Sequence, residues 1–117
     1  MKYICLIYDD EQQWARMPAA ERDGIMAEYG AFAEDITGSG HMRGGNQLHP
    51  THTATTLRVR DGVLSVTDGP YAETKEALGG YFLIEACDLN EAVQVAARIP
   101  SARIGAVEVR PIVEMAA

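Results

Sequence analysis

The chain has 117 residues, 47% of them hydrophobic, and a formal charge of −7. That length suits one domain spanning 1–117, and so apolar a composition can bury a core without disulfides or a structural metal. The acidic balance, with no stripe of Lys and Arg, argues against nucleic acid and against an anionic membrane surface as partners.

In chain order, Lys2–Tyr8 reads as a strand apolar on both faces, with Tyr3, Cys5 and Ile7 on one and Ile4, Leu6 and Tyr8 on the other. The run is too short for a secretion signal, and no later stretch approaches membrane-spanning length, so a cytoplasmic location is expected. Asp9–Gln13 breaks the strand. Pro18 then starts a helix whose stripe is Ile25, Met26, Tyr29, Phe32, Ala33 and Ile36, with Gly38 and Gly40 ending it. Gly24 and Gly30 weaken that helix, so it needs tertiary packing. His41–His52 fits no single element: Gly44-Gly45 suggests a bulge or turn, and His49-Pro50 favours extended backbone.

Thr53–Arg60 alternates and leads into Asp61-Gly62, a two-residue hairpin turn. That turn pairs Val59 with Leu64 and Leu57 with Val66, and sets Arg58 against Ser65, which predicts a half-buried hairpin. Asp68–Gly80 reads as a polar loop and Tyr81–Ile84 as a second strand apolar on both faces. Asp88, with Glu91 three residues on, marks a helix start. Leu89, Val93, Ala96 and Ala97 are its expected stripe, and Pro100 stops it. Val107 and Val109 alternate with Glu108 and Arg110 before Pro111, the pattern of an edge strand.

This order is the βαββαβ order of an α+β, ferredoxin-like fold with an extra β-hairpin. Its first and third strands are central, and these are the two that are apolar on both faces. Helices cover one face of such a sheet, so the apolar second face predicts a further cover, most simply a second copy of the chain in a homodimer.

Cys5 and Cys87 lie in or beside strand patterns and read as small core residues rather than a bridge or a nucleophile. His41, His49 and His52 invite a metal reading, but His49 and His52, the two within reach of each other, lack a third convergent ligand, so no metal and no cofactor is expected. Tyr8 and Asp9 close the first central strand, with Trp14 beyond. A strand end facing a cavity commonly places ligand groups, and Tyr8 equally serves as core with its hydroxyl at the rim.

The most distinctive run is Thr67-Asp68-Gly69-Pro70-Tyr71-Ala72-Glu73-Thr74-Lys75-Glu76, ending in Leu78-Gly79-Gly80-Tyr81. It resembles the signature of the YCII-related proteins named for a DGPF motif, with Tyr71 in place of Phe. Leu6-Ile7-Tyr8, Thr56 with Val59, and Val107-Glu108-Val109-Arg110-Pro111 fit the same family. The resemblance implies a ferredoxin-like fold that pairs into a dimeric α/β barrel. Distantly similar barrels are isomerases, dehalogenases or monooxygenases, and the wider family is associated with a His–Asp acid–base pair. The three histidines here do not fall at that motif position, so the pair is not carried over.

In the motif, Asp68 can accept backbone amides, Gly69 can take positive φ and Pro70 fixes the next φ, which stiffens the loop. Glu73, Lys75 and Glu76 then offer two carboxylates and an ammonium. The alternative for that run is a solvated, salt-bridged helical turn. The candidate ligand-binding residues are therefore Tyr8, Asp68, Glu73, Lys75 and Glu76, and no catalytic residue is nominated. The leading expectation is a small-molecule binding protein or enzyme, with a pocket near the motif loop for a polar or aromatic metabolite. The alternative, implied by relatives that occur beside or fused to extracytoplasmic-function sigma factors, is a non-catalytic regulatory partner of such a factor.

Overall fold

In the computed structural model, which describes residues 1–115, the first strand is β1 (Lys2–Asp9). Two helices follow, α1 (Glu11–Arg16) and α2 (Ala19–Gly38), and then β2 (Met42–Gln47). A hairpin of β3 (Thr55–Arg60) and β4 (Val63–Asp68) precedes β5 (Ala77–Glu85). The chain ends with α3 (Leu89–Ala96), α4 (Ser101–Ile104) and β6 (Ala106–Pro111). The main sheet runs β2-β5-β1-β6, antiparallel throughout, while β3 and β4 pair only with each other. The two strands read as apolar on both faces, β1 and β5, are indeed the central ones, and β6 is an edge.

The unassigned stretch after α2 supplies the missing second strand. β2 pairs with β5 through a register shift between Met42 and Gly44, where the glycine pair had suggested a bulge. The expected break at Asp9–Gln13 is instead a helix start. The Asp10 carboxylate accepts the amides of Gln12 and Gln13 at 2.9 and 3.4 Å, which caps α1 and turns Trp14 inward. The expected loop to Gly80 ends earlier, because β5 begins at Ala77. Gly79 is the extra residue where Ile7 pairs with Gly80 and Tyr8 with Leu78.

Tyr3, Cys5 and Ile7 of β1 lie under the helices with Phe32, Ile36, Ile84 and Ile99, all at 5% exposure or less. Truncating a residue so enclosed, such as Ile36, costs about 2–5 kcal/mol. Two expected helix faces need correction. In α2, Ile25, Phe32 and Ile36 are buried, but Met26 is 45% exposed. In α3 the buried stripe is Ala92, Val95 and Ala96, while Leu89 and Val93 face outward. The helix is rotated because small residues let it sit close to the sheet, and Ile99 just beyond it completes the i, i+3, i+4, i+7 pattern. The Asp88 cap is present, with its carboxylate accepting the Glu91 amide at 2.9 Å. Pro100 does not stop helical structure altogether, since the chain continues into the short helix α4.

The hairpin has the expected register, Val59 with Leu64 and Leu57 with Val66, around Asp61 and Gly62 at φ 52° and 77°. Its apolar face is not half-buried. Leu57, Val59, Leu64 and Val66 are 57–61% exposed, because the hairpin projects beyond the main sheet and nothing lies over it among the described residues. The projection makes the molecule a plate of 48 × 47 × 18 Å, with a radius of gyration of 16.3 Å. A compact domain of this length has about 13 Å. Ile4, Leu6, Tyr8, Tyr81 and Leu83 share the helix-free face of the main sheet and are half-buried.

Candidate functional site

A cavity of ≈ 710 Å³ opens between the helices and the sheet at the β2–β5 side. Three strand glycines, Gly45, Gly79 and Gly80, form part of its floor. Gly80 and Gly45 lie on the helix-facing side of β5 and β2, since Gly80 pairs with Ile7 and Gly45 with Phe82. A Cβ at Gly80 would sit 2.9 Å from the Asn46 carbonyl oxygen, and one at Gly45 would sit 2.8 Å from the Phe82 ring. Across from them, Gly30 of α2 lines the same space, with no atom within 4 Å of where its Cβ would be. Trp14, Tyr29 and Phe82 supply aromatic walls. Phe82 is held by stacking on Tyr29 at 6.4 Å and by an edge contact with Phe32 at 5.2 Å.

The polar end of the cavity is Asp9, the last residue of β1. The Ser101 hydroxyl donates to its Oδ2 at 2.9 Å, and Ser101 is in turn hydrogen-bonded to the Tyr29 hydroxyl. Ser101 is fully buried, at the first turn of α4, so Tyr29, Ser101 and Asp9 form a continuous polar chain from α2 through α4 to the end of β1. The other carboxylate oxygen, Oδ1, is buried without a hydrogen-bond partner. It is packed on Gly105, where a Cβ would lie 2.8 Å from it. Burial raises the Asp9 pKa above its ordinary value, and Glu76 adds to the rise, while Ser101 and the Trp14 indole oppose it. Tyr29 is also raised, first by burial. A carboxyl group so placed can hold or exchange a proton with a bound molecule.

Glu11 also lines the cavity, and its carboxylate accepts the Thr51 amide at 3.1 Å, which ties α1 to the segment after β2. His49 lines the cavity and His52 a separate depression, while His41 hydrogen-bonds Glu91 at 3.1 Å and Ser39 at 2.7 Å. The histidines thus go to three places. No group of His, Cys, Asp and Glu suited to a metal occurs among the described residues. Cys5 is buried, which pushes its thiol up to about 11, but Cys87 is exposed rather than core and donates to Glu91 at 3.1 Å.

The nominated residues are only partly brought together. Asp68 and Glu73 line a shallow depression of ≈ 430 Å³ beside Gly69 and Pro70. Tyr8 lies on the helix-free face of β1 opposite Leu78 and Ala106, and Lys75 is exposed; neither lines either cavity. Glu76 is exposed but close enough to raise the Asp9 pKa. The Asp68 carboxylate has no hydrogen bond among the described residues. The turn is held instead by the Gly69 amide on the Ala54 carbonyl at 2.7 Å and by the Thr56 hydroxyl on the Gly69 carbonyl at 2.8 Å, with Gly69 at the expected positive φ of 116°. Glu73–Glu76 forms neither a helical turn nor an ion pair. Of the cavity's key residues, Tyr29 and Phe82 read in the sequence only as strand or stripe residues. Ser101 carried no signal, because its partners are 72 and 92 positions away.

The model of the YCII-related domain matches residues 1–116. The chain belongs to this family. An uncharacterized protein of Rhizobium meliloti is 36% identical to this YCII-related domain over 114 residues, covering 96% of this chain and 92% of that protein. Among solved structures, a 5-chloro-2-hydroxyhydroquinone dehydrochlorinase from Burkholderia phenoliruptrix, in complex with 2,5-dihydroxybenzoquinone, superposes with a TM-score of 0.53. It shares 16% identity over 98% of this chain and 96% of that one, a likeness of fold. No helix of the described YCII-related domain is long and apolar enough to cross a membrane.

Proposed function

We propose that this YCII-related domain binds a small ring-bearing metabolite in the glycine-floored cavity, and that Asp9 is the group that exchanges a proton with it. The observation that carries this reading is the Asp9 carboxyl at the cavity's end, half-buried, with one oxygen held through Ser101 to Tyr29 and the other without a partner. Gly30 on α2 leaves open space for a flat molecule, and Trp14, Tyr29 and Phe82 offer faces for it. The motif loop contributes by leading into β5, whose Gly79-Gly80 stretch floors the cavity. Ala77, at its end, borders both the cavity and the depression of Asp68 and Glu73. The dehydrochlorinase neighbour supports only the capacity of such a fold to accept a small ring.

A thermal-shift screen of monocyclic and bicyclic metabolites tests this. Stabilisation of the wild type that is lost in Asp9→Asn is expected; compounds that stabilise both equally would contradict a role for Asp9. A second copy covering the helix-free face of β1 and β5 is part of the same reading, since Ile4, Leu6, Tyr81 and Leu83 need an apolar cover. Light scattering behind size exclusion should give a dimer at micromolar concentration, and a monomer would remove that part. The regulatory alternative is favoured by the exposed apolar face of the hairpin. In that role a sigma factor would protect Leu57 and Val66 from solvent, which hydrogen exchange of the mixed proteins reads directly.

A further inference from the structure

The charges around the cavity are one-sided. Among the described residues Asp9 and Glu11 line it, His49 is its one basic side chain, and no Lys or Arg borders it. Glu76 stands near enough to Asp9 to act on it electrostatically. The nearest guanidinium groups along the chain are engaged with backbone: Arg16 donates to the Gln12 carbonyl at 3.2 Å, and Arg22 to the carbonyls of Met17 and Trp14 at 3.0 and 3.4 Å. An anionic ligand would therefore meet two carboxylates and no cation. A neutral ring would use the aromatic walls and leave the carboxylates unmatched.

From this arrangement we infer that the ligand is a small protonated amine carrying an aromatic ring, with its ammonium group against Asp9 and its ring among Trp14, Tyr29 and Phe82. This rests on the proposed binding role of the cavity and adds the ligand's charge. The inference has two supports besides charge count. First, the donors facing Asp9 are neutral, the Ser101 hydroxyl and the Trp14 indole, and it has no cationic partner among the described residues, although a half-buried carboxylate is costly without one. An ammonium supplies three donors and a full charge. Second, aromatic faces attract a cation directly, and three of them border the same space. Glu11 keeps one oxygen for the Thr51 amide and has a second oxygen to add to the negative field.

The chain's single tryptophan, Trp14, lines the cavity, so its fluorescence reports occupancy without a label. The test titrates three probes of the same ring and chain length: 2-phenylethylamine, 2-phenylethanol and phenylacetate. Each is run at neutral pH on the wild type, Asp9→Asn and Gly30→Leu. Gly30→Leu puts a side chain into empty space on an otherwise helical residue, so it fills the cavity while favouring the helix. Circular dichroism confirms that it folds. The amine is expected to bind the wild type more tightly than the alcohol, with no response to phenylacetate. Asp9→Asn should weaken the amine about ten- to hundredfold and leave the alcohol nearly unchanged, the effect of removing a charged hydrogen bond. Gly30→Leu should abolish binding of both.

If the alcohol or phenylacetate binds as well as the amine and Gly30→Leu abolishes it, the amine assignment is overturned while the cavity's binding role stands. If the amine binds equally to wild type and Gly30→Leu, the site lies elsewhere and both readings fall. If none of the three probes binds the wild type at millimolar concentration, the amine assignment also falls.

Discussion

Removing the hydroxyl groups of Tyr29 and Ser101, singly and together, probes the polar chain that holds Asp9. Tyr29→Phe deletes one hydrogen bond but leaves Ser101 donating to Asp9. The net loss for such a bond is about 0.5–1.5 kcal/mol. Ser101→Ala deletes a fully buried bridging group. It leaves both the Asp9 Oδ2 and the Tyr29 hydroxyl without their partner. Each buried polar group left unpaired costs about 1–3 kcal/mol, so this variant should lose about 2–6 kcal/mol. In the double variant there is no Tyr29 hydroxyl to strand, so the total should fall short of the sum by about 1 kcal/mol or more. Urea unfolding at fixed protein concentration gives the three free energies; the concentration is held because dimerisation would shift the midpoints. Additivity within about 0.3 kcal/mol, or a Ser101→Ala cost no larger than that of Tyr29→Phe, would refute the bridging role.

Three further substitutions separate what holds the molecule from what serves the cavity. Asp9→Asn should change the pH dependence of stability. The native Asp9 pKa lies above the unfolded value, so the native state holds more protons between the two, and wild-type stability declines as pH rises through that window. The melting temperature of Asp9→Asn relative to wild type should therefore be more favourable at pH 7 than at pH 3.5, and a difference of the opposite sign would contradict the burial of the carboxylate. In the motif loop, Asp68→Ala should alter stability by no more than about 0.5 kcal/mol, whereas Thr56→Val should cost about 0.5–1.5 kcal/mol by removing the bond to the Gly69 carbonyl. Thermal denaturation ranks the pair, and a larger loss for Asp68→Ala would restore the carboxylate as the loop's brace. Asp88→Ala should cost about 0.5–2 kcal/mol through loss of the α3 cap, read by the same denaturation.

The sheet was legible because its signals are local. Period-two alternation identified β6 and the hairpin, the Asp61-Gly62 turn set the pairing of Leu57 with Val66, and apolar residues on both faces marked β1 and β5 as central. β2 was obscured because two of its six residues are glycine, which carry no hydrophobic pattern. One of them, Gly45, lines the cavity, and its missing side chain lets the Phe82 ring lie against β2 as a cavity wall. The outward turn of Leu89 and Val93 was not legible either, since their spacing fits a helical stripe as well as that of Ala92, Val95 and Ala96 does. The choice between the two depends on how closely α3 approaches β1 and β6. Asp9 was visible as a strand end, but its role depends on Ser101, a contact made only when α4 folds against β1. The charged run Glu73–Glu76 drew attention as a cluster in sequence, yet only Glu76 reaches the vicinity of Asp9.

The central claim, that the glycine-floored cavity beside Asp9 is the binding site, is tested most directly by mapping amide chemical shifts in two-dimensional NMR while a mixture of ring-bearing metabolites is added. The account predicts that the perturbed residues cluster at Ile7, Asp9, Trp14, Tyr29, Gly80 and Phe82. Perturbations confined to Asp68, Gly69 and Glu73, with the cavity residues unmoved, would contradict it.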